Sequence, residues 1–212
     1  MRGRKKSDET RLAILRGAAQ VFSQHEFHEV LTDDLARQLG IGKGTIYRYF
    51  PSKEELYLAA IQEGLERLNA ALTAVLQQHA PLAATIEAVV QTIVRFFWKQ
   101  RDFFVLMQRL EPKLKAHERA QWQQARQALV GMVRRAVDRA AVNGEIGRGN
   151  SRLAVEALFG MIRGVCVYRG ESDRPEELTR LVTALFLRGL TGDGAAPRAG
   201  SLRVVRGGKG TP

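Results

Sequence analysis

Apolar residues recur along this chain at intervals of three and four, the spacing of one helical face, and no stretch sustains the period-two alternation of a half-buried strand. The first stripe is Leu12, Leu15, Ala18/Ala19 and Phe22, with Asp8 as the expected cap. Thr32 and the acidic turn Asp33-Asp34 open a short second helix, which turns Leu35, Ala36 and Leu39 inward and stops at Gly40. A third helix fits Lys43 to Tyr49. Pro51 keeps it from continuing, and Ser52-Lys53-Glu54-Glu55 is a capping box that opens a long helix as far as the His79-Ala80-Pro81 break.

Beyond Pro81 the stripes continue through Leu82, Ile86, Val89, Ile93 and Phe96/Phe97. A second set is Phe103, Phe104, Met107 and Leu110, and a third runs from Trp122 to Ala140. Two further helices are expected at Ser151–Arg169 and Pro175–Arg188. After Gly189 the chain becomes TGDGAAPRAGSLRVVRGGKGTP, rich in glycine and cations, which predicts disorder. The pattern as a whole predicts an all-α protein of about nine helices.

Within it, LGIGKGTIYRYF (Leu39–Phe50) raises a question of chemistry, because glycines around a lysine suggest a phosphate cradle. A nucleotide P-loop fails on spacing: Gly42-Lys43 is followed by Gly44 rather than a hydroxyl residue, and Arg37 stands where the first glycine belongs. A dinucleotide loop fails as well, since Thr45 replaces its third glycine and no strand precedes it. Two short helices joined by Gly40-Ile41-Gly42 make instead a helix-turn-helix. Ile46 and Phe50 are needed for packing. That leaves Lys43, Thr45, Tyr47, Arg48 and Tyr49 as donors and cations for phosphates and base edges, with Gly42 and Gly44 allowing a close backbone approach.

Charge adds to this reading through its placement. The chain of 212 residues carries a formal net charge of +11. Residues 1–7 hold four cations and no acid, while residues 8–53 hold six of each and are neutral. Arg4, Lys5 and Lys6 therefore belong to an expected mobile arm that supplies long-range attraction to DNA and lies along phosphates or in the minor groove. A helical module that binds anionic partners through its basic tails is the alternative from another class. The single Cys166 excludes an internal disulfide and fits a reducing cytoplasm. No run is long and apolar enough to span a membrane, and no apolar core follows the basic N-terminus as in a signal peptide. HEFHE (His25–Glu29) lacks the second histidine of a zinc-protease helix and reads as a solvated loop; no metal or cofactor is expected, and no grouping suggests catalysis.

From about Asp8 to Arg67 the chain resembles the DNA-binding domain of the TetR/AcrR family of bacterial transcriptional regulators. ILRGAAQVF and DDLARQLGIGKGTIYRYFPSKEEL carry the likeness. It implies DNA contacts for the turn and third helix, for Lys53 as a phosphate ligand, and for the hydroxyl of Thr32. Departures fall at Glu26, Leu31 and Gly42, each in a loop or cap. The resemblance also implies a homodimer on a palindromic operator, more often a repressor, with a small-molecule effector among the middle helices. Phe97, Phe104, Met107, Trp122 and Phe159 are the expected lining, and Ala157, Gly160 and Gly164 form a flat strip suited to the dimer contact. The expected organisation is an arm (1–7), a helix-turn-helix domain (8–53, extending to about 68 with its linking helix), a regulatory domain (54–189) and a basic tail (190–212).

Overall fold

The computed structural model describes residues 2–78, 80–109, 116–147 and 149–191, with backbone alone at 2–6, 116–119, 121–122 and 191. The expected tail beyond Thr191 and the side chain of Trp122 lie outside this description. The described residues form α1 (Arg2–Gln24), α2 (Thr32–Leu39), α3 (Lys43–Tyr49), α4 (Lys53–Leu76), α5 (Leu82–Lys99), α6 (Arg101–Gln108), α7 (Ala116–Val142), α8 (Ser151–Tyr168) and α9 (Pro175–Thr191). The described residues are all-α, as the apolar spacing predicts.

Local signals set most boundaries. Ser52 Oγ accepts from the Glu55 backbone N–H at 3.1 Å, the first half of the expected capping box. Asn150 Oδ1 likewise caps α8 through the Leu153 N–H at 3.1 Å. Gly40 adopts φ 65°, ψ 28°, so the chain can turn out of α2 in the left-handed conformation that a side chain disfavours. Leu31 precedes α2 and offers no side-chain cap.

Two boundaries differ from the sequence reading. Helix α1 begins at Arg2, so residues 2–7 continue the helix and Asp8 is not its cap. The dipole disfavours cations at a helix N-terminus, but no proline intervenes, and Lys and Arg are good helix formers. On this added stretch, Ser7 Oγ lies 3.2 Å from Tyr49 Oη on the third helix. At the other end, α9 passes Gly189 to Thr191, because Leu187 and Leu190 still pack against the core.

One contiguous apolar core runs from Ile14 to Phe186 and unites both halves of the molecule. Helix α5 is its axis, with Ile86, Val89, Val90 and Val94 wholly buried, and it packs against α4 and α9. The α4–α6 approach requires a glycine: a Cβ on Gly64 would stand 2.2 Å from the Phe103 ring. The halves join where the Phe22, Phe27 and Tyr57 rings meet at centroid distances of 5.1–5.8 Å. Tyr57 Oη donates to the Arg109 carbonyl at 3.2 Å, tying α4 to the end of α6. Ser23 Oγ donates to Asp102 Oδ1 at 2.8 Å, and Arg109 Nη1 to the Ser23 carbonyl at 3.2 Å, so α6 also grips the end of α1.

Candidate nucleic-acid interface

Helix α3 has seven residues, of which Ile46 alone is fully buried, with Phe50 just past its end. Ile46 shares the buried core with Leu35 and Ala36, and α2 and α3 pack against each other. Gly42, Lys43, Gly44, Tyr47 and Arg48 are therefore exposed, and Thr45 and Tyr49 are half-buried. Nothing lies within 4 Å of where a Cβ on Gly44 would stand, so its backbone is open to a bulky polyanion. One short helix thus presents two phenols, a hydroxyl and two cations on its outer side.

These groups are held in place by neighbours. Lys43 Nζ pairs with Asp33 Oδ2 at 2.9 Å across the turn, a hydrogen bond that raises its pKa above the ordinary lysine value. Tyr47 Oη donates to Thr32 Oγ1 at 3.2 Å, linking α3 to the start of α2. The hydrogen bond with Ser7 lowers the Tyr49 pKa, with further contributions from Arg48, whose guanidinium lies 5.3 Å from the Tyr49 ring centre. Arg11 lies over the Phe50 ring at 5.4 Å. Asp33, Ser7 and Arg11 are the site residues that sequence reasoning missed. The acidic first turn of α2 signalled Asp33, whereas contacts between distant segments place the other two.

Lys53 sits differently from the expected phosphate ligand. Its Nζ donates to the carbonyls of Phe27 at 2.8 Å and Val30 at 3.0 Å, and lies 4.5 Å from the Phe27 ring centre. The ammonium has three donors and spends two on the loop between α1 and α2. In this geometry Lys53 braces the reading head and keeps a single N–H for an external partner. Arg4, Lys5 and Lys6 lie on the first turns of α1, so their backbone leads helically toward Ser7 and the Tyr49 end of α3.

The other expected sites divide. Phe97 and Phe104 are buried against each other, centroids 4.8 Å apart, in a cluster with Phe96 and Phe103. Met107 and Phe159 are half-buried beside this core. On α8, Val155, Leu158, Ile162 and Cys166 face inward, and burial raises the Cys166 pKa to about 11, so its thiol is not a reactive thiolate. The small-residue strip is on the other side. Ala157 and Gly160 are exposed, Gly164 is half-exposed, and no atom lies within 4 Å of a Cβ built on either glycine. Leu153 on the same helix and Leu181 and Leu185 on α9, which packs against α8, are 50–54% exposed. The described residues hold no metal-ready group of three or more His, Cys, Asp or Glu, and none of the helices is long and apolar enough to cross a membrane.

This architecture, a short helix-turn-helix carried by a long helix on an all-α regulatory domain, is that of a helix-turn-helix regulator. The chain matches the model of bacterial regulatory proteins of the tetR family over residues 14–60 and that of a tetracyclin repressor-like C-terminal domain over residues 79–190, and it belongs to the TetR family. It is 40% identical over 77 residues to the HTH-type transcriptional regulator RutR of Escherichia coli K12, a stretch that spans 36% of each chain. The curated relatives are thus matched over about a third of their length. The TetR-family regulator PfmR of Thermus thermophilus superposes with a TM-score of 0.74 at 26% identity, covering 82% of this chain and 97% of PfmR. The regulator FadR of Bacillus subtilis, solved with stearoyl-CoA, gives 0.76 at 19% identity over 84% of this chain and 98% of its own.

Replacing Lys53 by Ala strands the Phe27 and Val30 carbonyls and should lower folding stability by about 1–3 kcal/mol. Urea unfolding measures it, and a midpoint equal to that of the parent chain would remove the brace.

Proposed function

We propose that this protein is a sequence-specific DNA-binding regulator that grips a palindromic operator as a homodimer and represses transcription until a small-molecule effector binds. The outer side of α3 is the observation that carries this reading. Thr45 and Tyr47 supply groups for base edges, while Lys43, Arg48, Tyr49 and the backbone at Gly42 and Gly44 suit phosphates. Thr32 orients Tyr47 through their hydrogen bond, and Arg4, Lys5 and Lys6 bring charge along the α1 axis. On DNA, Lys43 exchanges the Asp33 carboxylate for a phosphate.

Two recognition helices must meet half-sites about 34–36 Å apart. Tyr47→Ala or Thr45→Ala should reduce the ratio of operator to non-specific affinity. Lys43→Ala should weaken all sequences alike and flatten the salt dependence by about one phosphate's worth. Titrations across salt concentrations on operator and scrambled duplexes compare them, and a changed base preference in Lys43→Ala alone would reverse these roles.

The exposed strip on α8 and the leucines beside it on α9 supply the dimer contact, since an apolar face of that kind is stable when covered. Packing a second copy over the open glycines brings backbones close, which offsets the helix propensity lost at Gly160 and Gly164. Leu185→Glu should yield monomers in sedimentation experiments and lose tight operator binding. A dimer of unchanged affinity in that variant would place the interface elsewhere.

The effector enters among the middle helices, where Phe97, Phe104, Met107, Phe159 and Trp122 suit an apolar chain. The fold shared with FadR makes long-chain acyl-CoA thioesters the first class to test. Such an effector should bind the free dimer more tightly than the operator complex, and equal affinities would rule it out as an inducer.

A further inference from the structure

A polar cleft of about 170 Å³ opens where α1, α4 and the α5–α6 corner meet, away from α3 and from the aromatic cluster's centre. It is roughly the volume of five or six waters. Three cations from three elements converge on it: Arg16 from α1, Arg67 from α4 and Lys99 from the end of α5. Two acids share the walls, and both are engaged. Glu63 stands 3.0 Å from Arg67 Nε, and Asp102 Oδ1 accepts the Ser23 hydroxyl at 2.8 Å. The Glu63 contact lacks hydrogen-bond alignment, so the buried Arg67 Nε–H remains without an acceptor. Neither Arg16 nor Lys99 has a carboxylate partner among the described residues. Gln100 spends its carbonyl on Arg67 Nη2 at 3.4 Å, which leaves its amide N–H₂ as a further donor, and Gln20 lines the α1 side.

The lining thus carries three cations against two carboxylates, and a bound anion would offset the positive charge left over. We propose that this cleft is a binding site for a phosphate group, with Arg16, Lys99 and the Arg67 guanidinium as its cationic donors. Its volume takes the phosphate with a few waters and no larger body, so an ester of phosphate would leave the rest of its molecule in solvent. The site bridges the N-terminal helix and the regulatory domain, and it stands whether or not the DNA-binding reading holds.

The test is calorimetric titration of the full chain with inorganic phosphate and with coenzyme A, chloride balancing the ionic strength. Saturable binding is expected, weakened about tenfold or more in both Arg16→Gln and Lys99→Gln and restored toward the parent value in Arg16→Lys. Binding of inorganic phosphate identifies the free ion as sufficient, and binding of coenzyme A alone identifies a phosphate ester. Thermal unfolding of each variant confirms that it folds, and Arg95→Gln on the outer side of α5, should binding there weaken equally, would show the effect to be general charge. Binding of neither probe, or affinity unchanged by either glutamine substitution, overturns the proposal.

Discussion

Phe22, Phe27 and Tyr57 meet ring to ring at the point where α1, the loop after it and α4 converge. The Tyr57 hydroxyl adds the end of α6 to the same point through the Arg109 carbonyl. Aromatic contacts of this kind contribute about 0.5–1.5 kcal/mol each beyond area burial, and here they are cross-braced. Lys53 clamps the loop carbonyls from below, and Ser23, Asp102 and Arg109 clamp α6 to α1. The reading head therefore cannot rotate on α4 without breaking several buried or half-buried contacts at once. α1 and the loop after it are thereby tied to both α4 and α6.

The polar chemistry of the head has a different character, made of exposed pairs that exchange partners at little cost. Lys43 with Asp33 and Arg37 with Asp34 are ion pairs of largely solvated side chains, which hold geometry more than they hold the fold. The same Asp33 that raises the Lys43 pKa holds the lysine ammonium across the turn at 2.9 Å. Residues 8–53 hold six acids and six cations, and both α2 carboxylates answer a cation of this segment. Rigidity lies in the apolar joint, and exchangeable charge lies on the surface.

This division explains what could be read from sequence. Helix α3 and the cap at Ser52 were legible because residues a few positions apart determine them. The start of α1 was not, since Tyr49 engages Ser7 from 42 positions away. The brace made by Lys53 was hidden for the same reason: its motif suggests a phosphate, and its two acceptors in the loop preceding α2 lie 23 and 26 positions away. The strip on α8 was visible as a pattern, but only the fold shows that Val155, Leu158 and Ile162 take the inward face and turn Gly160 outward. Whether Phe97 and Phe104 serve a core or a cavity depends on packing, and here each fills the other's flank.

The position of the joint on α4 also sets the leverage between the halves. Helix α4 has 24 residues, and Tyr57 is the fifth of them. The regulatory arm beyond Tyr57 is about 29 Å long and the head-side arm about 6 Å. A 3 Å displacement of the Leu76 end, pivoting at the joint, would tilt α4 by about 6° and move Lys53 by only about 0.6 Å. Lys53 would thus keep both carbonyls, and the head would turn as a unit. A group on that head on the order of 15 Å from the pivot would travel about 1.5 Å, more than the span of useful hydrogen-bond distances. With a short arm and a stiff joint, a modest shift at the far end of α4 would reach the outer side of α3 as a displacement of that size, with no local unfolding required.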